Sequence, residues 1–188
     1  MSTAESRLAP TPGQTVGPFF GYALPFPHDN ELVPHGHPDA VRLHGLVTDG
    51  AGRPVPDAII ELWQADGSGA VVQEQGSFRR DGWTFTGWGR ASTDDNGRYT
   101  FSTLMPGAEA GKAAFFAITV FGRGVTNRLF TRAYLPGDEA ALQADPLLAS
   151  LDAEDRSTLV AVADERGFVF DISLQGERET VFLSYPGH

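Results

Sequence analysis

The sequence predicts an all-β protein, a β-sandwich or Greek-key core of about eight strands with long loops. Short runs in which apolar and polar residues alternate recur from residue 41 onward, and turn residues separate them. The chain also has 22 glycines and 13 prolines, which supply turns, and 13 phenylalanines, which supply bulky core residues. These observations leave room for only one or two short helices.

Residues 1–40 are expected to form an extended N-terminal arm rather than a folded unit. Prolines at positions 10, 12, 18, 25, 27, 34 and 38 interrupt any regular period. The arm is nevertheless apolar, so we expect it to be buried against its own domain or against a partner chain. Its apolar residues are Val16, Phe19, Phe20, Tyr22, Leu24 and Phe26.

Residues 41–188 are expected to form a single β-sandwich domain. The glycine-rich segment 66–92 is expected to be a long insertion loop. Acidic residues that suit helix N-termini predict short helices at 138–142 and 153–157. The alternating runs predict strands at 41–47, 58–64, 98–101, 114–121, 129–134, 158–163, 167–174 and 179–184.

Composition argues against several classes of function. The formal net charge of −10 disfavours a surface that follows nucleic-acid phosphates, so no nucleic acid partner is expected. The absence of cysteine excludes disulfides, thiolate zinc sites and cysteine nucleophiles. The chain has no apolar run of membrane-spanning length and no apolar signal region, so we expect a cytoplasmic protein that enters no membrane.

The histidines indicate a metal site only weakly. His35 and His37 form a His-x-His pair, which on a strand would place both rings on one face. Prolines flank the pair, glycine separates the two histidines, and no third ligand lies at suitable spacing, so we favour a solvated loop. The sequence also lacks a Gly-x-Ser-x-Gly elbow, a phosphate loop and a dinucleotide fingerprint.

Three arginines lie close together in this acidic chain, namely Arg123, Arg128 and Arg132. Such a group can hold a carboxylate of a substrate or of a neighbouring chain. An ordinary ion-paired strand face accounts for the same residues, and the pattern alone does not decide between the two interpretations.

Six segments, spread from residue 14 to residue 183, resemble the intradiol catechol dioxygenases. The two longest are DGAGRPVPDAIIELWQAD at 49–66 and GRASTDDNGRYTFSTLMPG at 89–107. The others are QTVGPFFGY at 14–22, VFGRG at 120–124, LFTRAY at 129–134 and FDISLQGERETVFL at 170–183. One such segment would be a weak indication, but six in register make the chain similar to that family throughout.

The resemblance implies iron chemistry in the assembled enzyme. In the family, two tyrosinates and two histidines hold a ferric ion, and the catechol chelates that ion. Reaction with O₂ then cleaves the bond between the two hydroxyl-bearing carbons. At the matching positions this sequence has Val71, Glu109, Phe115 and Ala117. The resemblance therefore implies that this chain has no metal site of its own.

The resemblance further implies an αβ hetero-oligomer, in which this chain is the α subunit and a homologous β subunit binds Fe(III). A small aromatic substrate and O₂ would bind at the boundary between the chains. By motif match, the arm residues Thr15, Gly17, Pro18 and Phe19 would line the pocket. Arg132 would lie near it and attract an anionic catechol. Phe19 stands where the family often has tyrosine, so one hydroxyl is missing there.

Two other hypotheses remain open at this point. A self-sufficient intradiol dioxygenase would need Tyr99 or Tyr134 within coordination distance of His35 and His37. A non-catalytic β-sandwich binding module would fit the strand pattern alone and would be a monomer in solution. The apolar arm and the ordered series of segments fit the binding module poorly.

Overall fold

The protein folds as two packed β-sheets, seen in a computed structural model that describes residues 12–74, 80–109 and 111–185. This architecture confirms the all-β sandwich predicted from the sequence. The strands are β1 (Val41–Thr48), β2 (Ile59–Trp63), β3 (Trp88–Ser92), β4 (Arg98–Thr103), β5 (Phe115–Phe121), β6 (Leu129–Tyr134), β7 (Val162–Asp164), β8 (Gly167–Val169) and β9 (Ile172–Ser173). The helices are α1 (Phe20–Ala23), α2 (Glu139–Ala144), α3 (Pro146–Ala149) and α4 (Ala153–Ser157).

The strands divide into a four-stranded and a five-stranded sheet. The four-stranded sheet has the order β3-β2-β5-β6, and all its neighbouring strands are antiparallel. The five-stranded sheet has the order β4-β1-β8-β7, and β9 also pairs with β1. Because β1 is antiparallel to β4 but parallel to β8 and β9, crossover connections as well as hairpins build this sheet.

The core lies between the two sheets. On β5, Phe116, Ile118 and Val120 are buried, whereas the alternate residues are partly exposed. These three side chains share one apolar cluster with Leu43 and Phe101 of the five-stranded sheet. Burial of each large side chain contributes about 1.5–3 kcal/mol relative to leaving it in water. Packing between the sheets is therefore the main stabilising interaction of the domain.

A glycine in β1 permits a break in the strand predicted at 167–174. Phe170 and Asp171 separate β8 from β9, so the prediction of one continuous strand is wrong. A Cβ atom on Gly45 would lie 2.0 Å from the Phe170 carbonyl oxygen. The buried Tyr99 hydroxyl donates a hydrogen bond of 2.5 Å to that carbonyl. The chain can bend here because glycine leaves the space and tyrosine satisfies the carbonyl.

The predicted loop 66–92 ends in a strand that the sequence pattern concealed. This strand is β3, which pairs antiparallel with β2. Gly89 gives the segment the composition of a loop, but a Cβ atom there would lie 2.4 Å from Cδ1 of Leu32. Glycine is needed because the arm packs closely on the strand, and local spacing does not reveal that contact.

The strand predicted at 179–184 is also wrong. In this part of the described chain only Leu183 forms a β-bridge, with Phe130. The Thr131 hydroxyl donates a hydrogen bond of 2.9 Å to the Val181 carbonyl. A side-chain hydroxyl thus makes the hydrogen bond that a backbone N–H group would make in a regular strand pair. The segment therefore lies along β6 without extending the sheet.

The helices predicted at 138–142 and 153–157 are confirmed as α2 and α4, and α3 follows α2 directly. An aspartate at each N-cap accepts hydrogen bonds from backbone N–H groups. The strand predicted at 158–163 is displaced, because Thr158 still caps α4 and β7 forms only after it. Within the described ranges, no helix has the length and the apolar character needed to cross a bilayer.

The arm has two parts that differ in burial. Leu32 is buried, and its N–H group donates a hydrogen bond of 2.8 Å to the Ser102 carbonyl on β4. Phe19 and Tyr22, by contrast, are 77% and 87% exposed. The second part of the arm therefore belongs to the sandwich, while the first leaves aromatic side chains in solvent. Residues 1–11 of the predicted arm lie outside the described residues.

Replacing Gly45 with alanine is expected to lower the free energy of unfolding by about 1–3 kcal/mol, because the new methyl group would overlap the backbone at Phe170. Gly36→Ala is the matched control, since a Cβ atom at that position meets nothing within 4 Å. Urea unfolding of both full-length variants measures the difference. Equal stability of the two variants would show that the close approach at Gly45 is unimportant.

Candidate functional site

The outer face of the four-stranded sheet contains the two positions at which the resemblance implies histidine ligands. Phe115 and Ala117 are two residues apart on β5, so both side chains lie on this face. On β6, Tyr134 is paired with Phe115 and Arg132 is paired with Ala117. On β2, Trp63 is paired with Ala117 and is 50% exposed. The face is thus aromatic and cationic at the positions where the resemblance implies imidazoles.

The other two ligand positions lie on loops that touch at the same end of this sheet. Val71 is in the loop that follows β2, and Glu109 is in the segment that precedes β5. The Gly107 N–H group donates a hydrogen bond of 2.8 Å to the Asp66 carbonyl. A Cβ atom on Gly69 would lie 2.3 Å from the facing backbone. Direct backbone contact therefore joins the loop that contains Val71 to the segment that contains Glu109.

The residues at these positions do not fit a ferric ion. Val71, Phe115 and Ala117 have hydrocarbon side chains without a donor atom, and the Glu109 carboxylate forms an ion pair with Lys112. Within the described residues, no group of three or more His, Cys, Asp and Glu side chains is placed to hold a metal ion. No chemical step through a metal can be assigned to this chain's own side chains.

Arg132 lies beside the replaced positions and has well-defined contacts. Its guanidinium carbon is 4.2 Å from the centroid of the Phe115 ring, a cation–π arrangement. Its Nη1 donates a hydrogen bond of 3.0 Å to the Tyr134 hydroxyl. Burial lowers the pKa of Arg132, but interactions with Tyr134 and Tyr185 outweigh that effect and the net pKa is raised. The guanidinium is a permanent positive charge on this face.

Tyr134 is fixed from the protein interior by a buried carboxylate. Its hydroxyl donates a hydrogen bond of 3.0 Å to Oδ1 of Asp145, which is 1% exposed. Asp145 also accepts hydrogen bonds from the backbone N–H groups of Ala113, Leu147 and Leu148. Burial raises the pKa of Tyr134 to about 12, so the hydroxyl keeps its proton at neutral pH.

The five residues predicted to line a substrate pocket lie in two places. The Thr15 hydroxyl accepts a hydrogen bond of 2.9 Å from a backbone N–H group in the turn between β5 and β6. Gly17 has a φ of +75°, a conformation that favours glycine. Pro18 and Phe19 follow it and are exposed. Arg132 lies farther along the same hairpin, on β6 and next to Tyr134.

The histidines and tyrosines named in the self-sufficient alternative have other contacts. His37 Nδ1 accepts a hydrogen bond of 3.1 Å from a backbone N–H group, and His35 Nε2 lies 3.9 Å from the Glu31 carboxylate. The Tyr99 hydroxyl donates to the Phe170 carbonyl, and the Tyr134 hydroxyl donates to the Asp145 carboxylate. These contacts give no support to an iron site built from the four residues.

The three arginines close together in the sequence do not form one cluster. Arg123 Nε lies 2.9 Å from Oδ2 of Asp57, which is an ordinary ion pair. The Arg128 guanidinium carbon lies 5.1 Å from the Phe130 ring centroid. Arg132 belongs to the separate group around Tyr134. The ion-paired interpretation therefore holds for Arg123, while Arg132 is the arginine next to the replaced ligand positions.

Sequence reasoning did not assign Trp63, Tyr134 or Asp145 to this region. Asp145 is followed by Pro146, and an acidic N-cap before proline at the first helical position is a signal that could have located α3. No comparable signal shows that the Asp145 carboxylate reaches Tyr134, because α3 and β6 meet only in the folded protein.

Comparisons with known proteins agree with the geometry. Residues 15–176 match a family model described as Dioxygenase. The chain is 38% identical to the protocatechuate 3,4-dioxygenase alpha chain of Burkholderia cepacia, covering 95% of this chain and 98% of that one. It is 32% identical to the protocatechuate 3,4-dioxygenase beta chain of the same organism, covering 83% of this chain and 74% of that one.

A solved structure shows the same fold at low sequence identity. An intradiol ring-cleavage dioxygenase from Tetranychus urticae aligns with a TM-score of 0.60 and 14% identity, covering 77% of this chain and 84% of that one. At this identity the likeness concerns the arrangement of strands rather than the chemistry.

Replacing Asp145 with alanine is expected to destabilise the protein more than replacing Asp152. Asp145→Ala removes the acceptor of three backbone N–H groups and of the Tyr134 hydroxyl, at a cost of about 3 kcal/mol. Asp152→Ala removes an exposed N-cap that two N–H groups use, at a cost of about 1 kcal/mol. Urea unfolding measures both, and equal losses would contradict an anchoring role for Asp145.

Proposed function

This chain belongs to the intradiol dioxygenase family, and from that premise we propose that it is the α subunit of a protocatechuate 3,4-dioxygenase. Together with a homologous β subunit, it converts 3,4-dihydroxybenzoate and O₂ into 3-carboxy-cis,cis-muconate. The bond between the two hydroxyl-bearing carbons breaks, and both oxygen atoms enter the product. This reaction is a step of aromatic degradation through the β-ketoadipate route.

The observation that carries the proposal is a retained fold with unsuitable residues at all four ligand positions. Phe115 and Ala117 share one face of β5, and the loops that contain Val71 and Glu109 contact each other, yet none of the four residues is a tyrosine or a histidine. The match to an alpha chain over nearly both full lengths supports the same conclusion. A chain of this kind needs a partner that binds the iron, and a homologous β chain is the natural candidate.

In this proposal the two subunits have different tasks. The Fe(III) of the β subunit supplies the activation of the catechol when substrate is bound. The present chain contributes binding surface and charge at the boundary between the subunits. Its assembly with the β chain is an αβ hetero-oligomer, and isolated copies are incomplete as catalysts.

The exposed part of the arm is proposed to cover the pocket of the β subunit. Thr15, Gly17, Pro18 and Phe19 would line that pocket. Phe19 supports this assignment because a phenylalanine that is 77% exposed gains free energy when a partner covers it. Arg132 would lie near the pocket and attract the carboxylate of the substrate, since opposite charges steer association.

The isolated chain is expected to contain no stoichiometric ferric iron and to cleave no catechol. Co-expression with the β chain of the same organism should give a red-brown complex that contains Fe(III) and consumes O₂ with 3,4-dihydroxybenzoate. Metal analysis, visible absorption and an oxygen electrode measure these properties, with the β chain alone as control.

Two results would count against the proposal. A lone chain that binds ferric iron through its own side chains and is active would show that the ligand assignment is wrong. A stable monomer that does not associate with the β chain would favour the alternative of a non-catalytic binding module.

Phe19→Ala is expected to weaken the assembled enzyme without unfolding the isolated chain. Phe19 is exposed, so its removal should change the free energy of unfolding by less than about 0.5 kcal/mol. In the complex it should raise the KM for 3,4-dihydroxybenzoate or the Kd between subunits about tenfold, which corresponds to about 1.4 kcal/mol.

Phe20→Ala is the matched control for Phe19→Ala. Phe20 is the next residue but is only 6% exposed, so its replacement should destabilise the isolated chain itself. If Phe19→Ala leaves both the KM and the Kd unchanged, this part of the arm does not contact the partner's pocket.

A further inference from the structure

The Arg132 guanidinium is restricted by contacts on several sides. One face lies over the Phe115 ring at 4.2 Å, and Nη1 donates to the Tyr134 hydroxyl at 3.0 Å. Tyr185 also interacts with it. An arginine in solvent samples many rotamers, so several contacts on one guanidinium narrow the directions in which its N–H groups point.

Asp145 fixes the orientation of the Tyr134 hydroxyl that faces Arg132. Oδ1 of Asp145 accepts hydrogen bonds from two backbone N–H groups of α3, and Oδ2 accepts one of 3.2 Å from Ala113. Because both oxygens act as acceptors, Tyr134 must donate its only hydroxyl proton to Asp145. The lone pairs of the tyrosine oxygen then remain for the Arg132 donor.

Tyr134 and Asp145, to which Arg132 is linked, lie in the protein interior. Tyr134 is fully buried and Asp145 is 1% exposed. The two belong to elements that also share an apolar cluster with Leu142, Leu148 and Leu159. Arg132 is only partly buried. A side chain near the surface is therefore tied, through one hydroxyl, to a carboxylate that cannot move easily.

We propose that Tyr134 and Asp145 are positioning residues that hold the Arg132 guanidinium so that its remaining N–H groups bind the carboxylate of the aromatic substrate. This inference rests on the proposed function and extends it to the choice of substrate. A guanidinium has five N–H donors in a planar fork that matches a carboxylate. The contact with Tyr134 uses Nη1, Tyr185 takes a further hydrogen bond, and the remaining donors of the fork are left for the ligand.

Phe115 has a supporting part in the same arrangement. It stands at a position where related enzymes have a metal ligand, and here its ring lies under the guanidinium. The flat ring supports the planar group through a cation–π interaction and limits its rotation. The residue that replaces the ligand thus helps to place a fixed positive charge.

The test compares two substrates of the αβ complex, 3,4-dihydroxybenzoate and catechol, which lacks the carboxylate. The readout is the ratio of their kcat/KM values. Arg132→Met should lower this ratio about 10–100-fold, mainly through the KM of the carboxylated substrate, because a charge-assisted hydrogen bond is lost. Tyr134→Phe should lower it about 3–10-fold, and Arg132→Lys should give an intermediate loss.

A double variant distinguishes a loss of Arg132 positioning from a general loss of structure. If Tyr134 acts through Arg132, adding Tyr134→Phe to Arg132→Met should cause no further change in the ratio. Asp145→Asn should resemble Tyr134→Phe, because it alters the group that sets the direction of the tyrosine hydrogen bond. Additive losses in the double variant would overturn the inference.

Tyr99→Phe is the matched structural control. It removes a buried hydroxyl of the same size from the other sheet, where Tyr99 donates to the Phe170 carbonyl. Its stability should fall by a similar amount, but the substrate ratio should not change. A ratio that falls equally in Tyr99→Phe would show that the effect at Tyr134 is only structural.

Failure of this inference and failure of the proposed function give different results. If the complex with the β chain does not form or does not cleave either substrate, the proposed function is wrong. If the complex is active and Arg132→Met leaves the ratio of kcat/KM values unchanged, the function stands and the role of Arg132, Tyr134 and Asp145 is wrong.

Discussion

The alternation of side chains along β5 and β6 is the constraint on which the rest of the structure depends. Phe116 and Ile118 face inward and fill the space between the sheets. A shift of one residue in the pairing would send them into solvent, so the register is strongly specified. The same register places Phe115, Ala117 and Arg132 on the opposite face. The pairing of β5 with β6 therefore determines both which side chains enter the core and which lie at the candidate site.

Close backbone contacts shape the loops beside this face. Gly69 and Gly107 allow the segments that contain Val71 and Glu109 to meet backbone to backbone. Asp66 supports its loop as well, and the hydroxyl and N–H donors of Ser68 lower the pKa of its carboxyl. Close packing of the backbone thus holds these two segments together.

Much of the architecture could be predicted because local patterns determine it. Apolar alternation located most of the strands, and acidic N-caps located α2 and α4. The missed strand β3 and the break at Phe170 have a common cause. Each depends on a close contact between distant segments, at Gly89 with Leu32 and at Gly45 with Phe170. From the sequence alone a glycine indicates a loop, because the tertiary contact that requires a residue without a side chain is not visible there.

By itself the sequence determined the all-β fold class, because local alternation of apolar and polar residues specifies strands. Its resemblance to a known family implied that Val71, Glu109, Phe115 and Ala117 stand where the metal ligands would be. Only the tertiary structure decided how the site is built. The series of contacts that links Phe115, Arg132, Tyr134 and Asp145 joins two strands to the start of a helix. Such contacts depend on how the sheets and helices pack. Packing brings together residues that are distant in sequence, and nothing in the local sequence indicates that they are close in space.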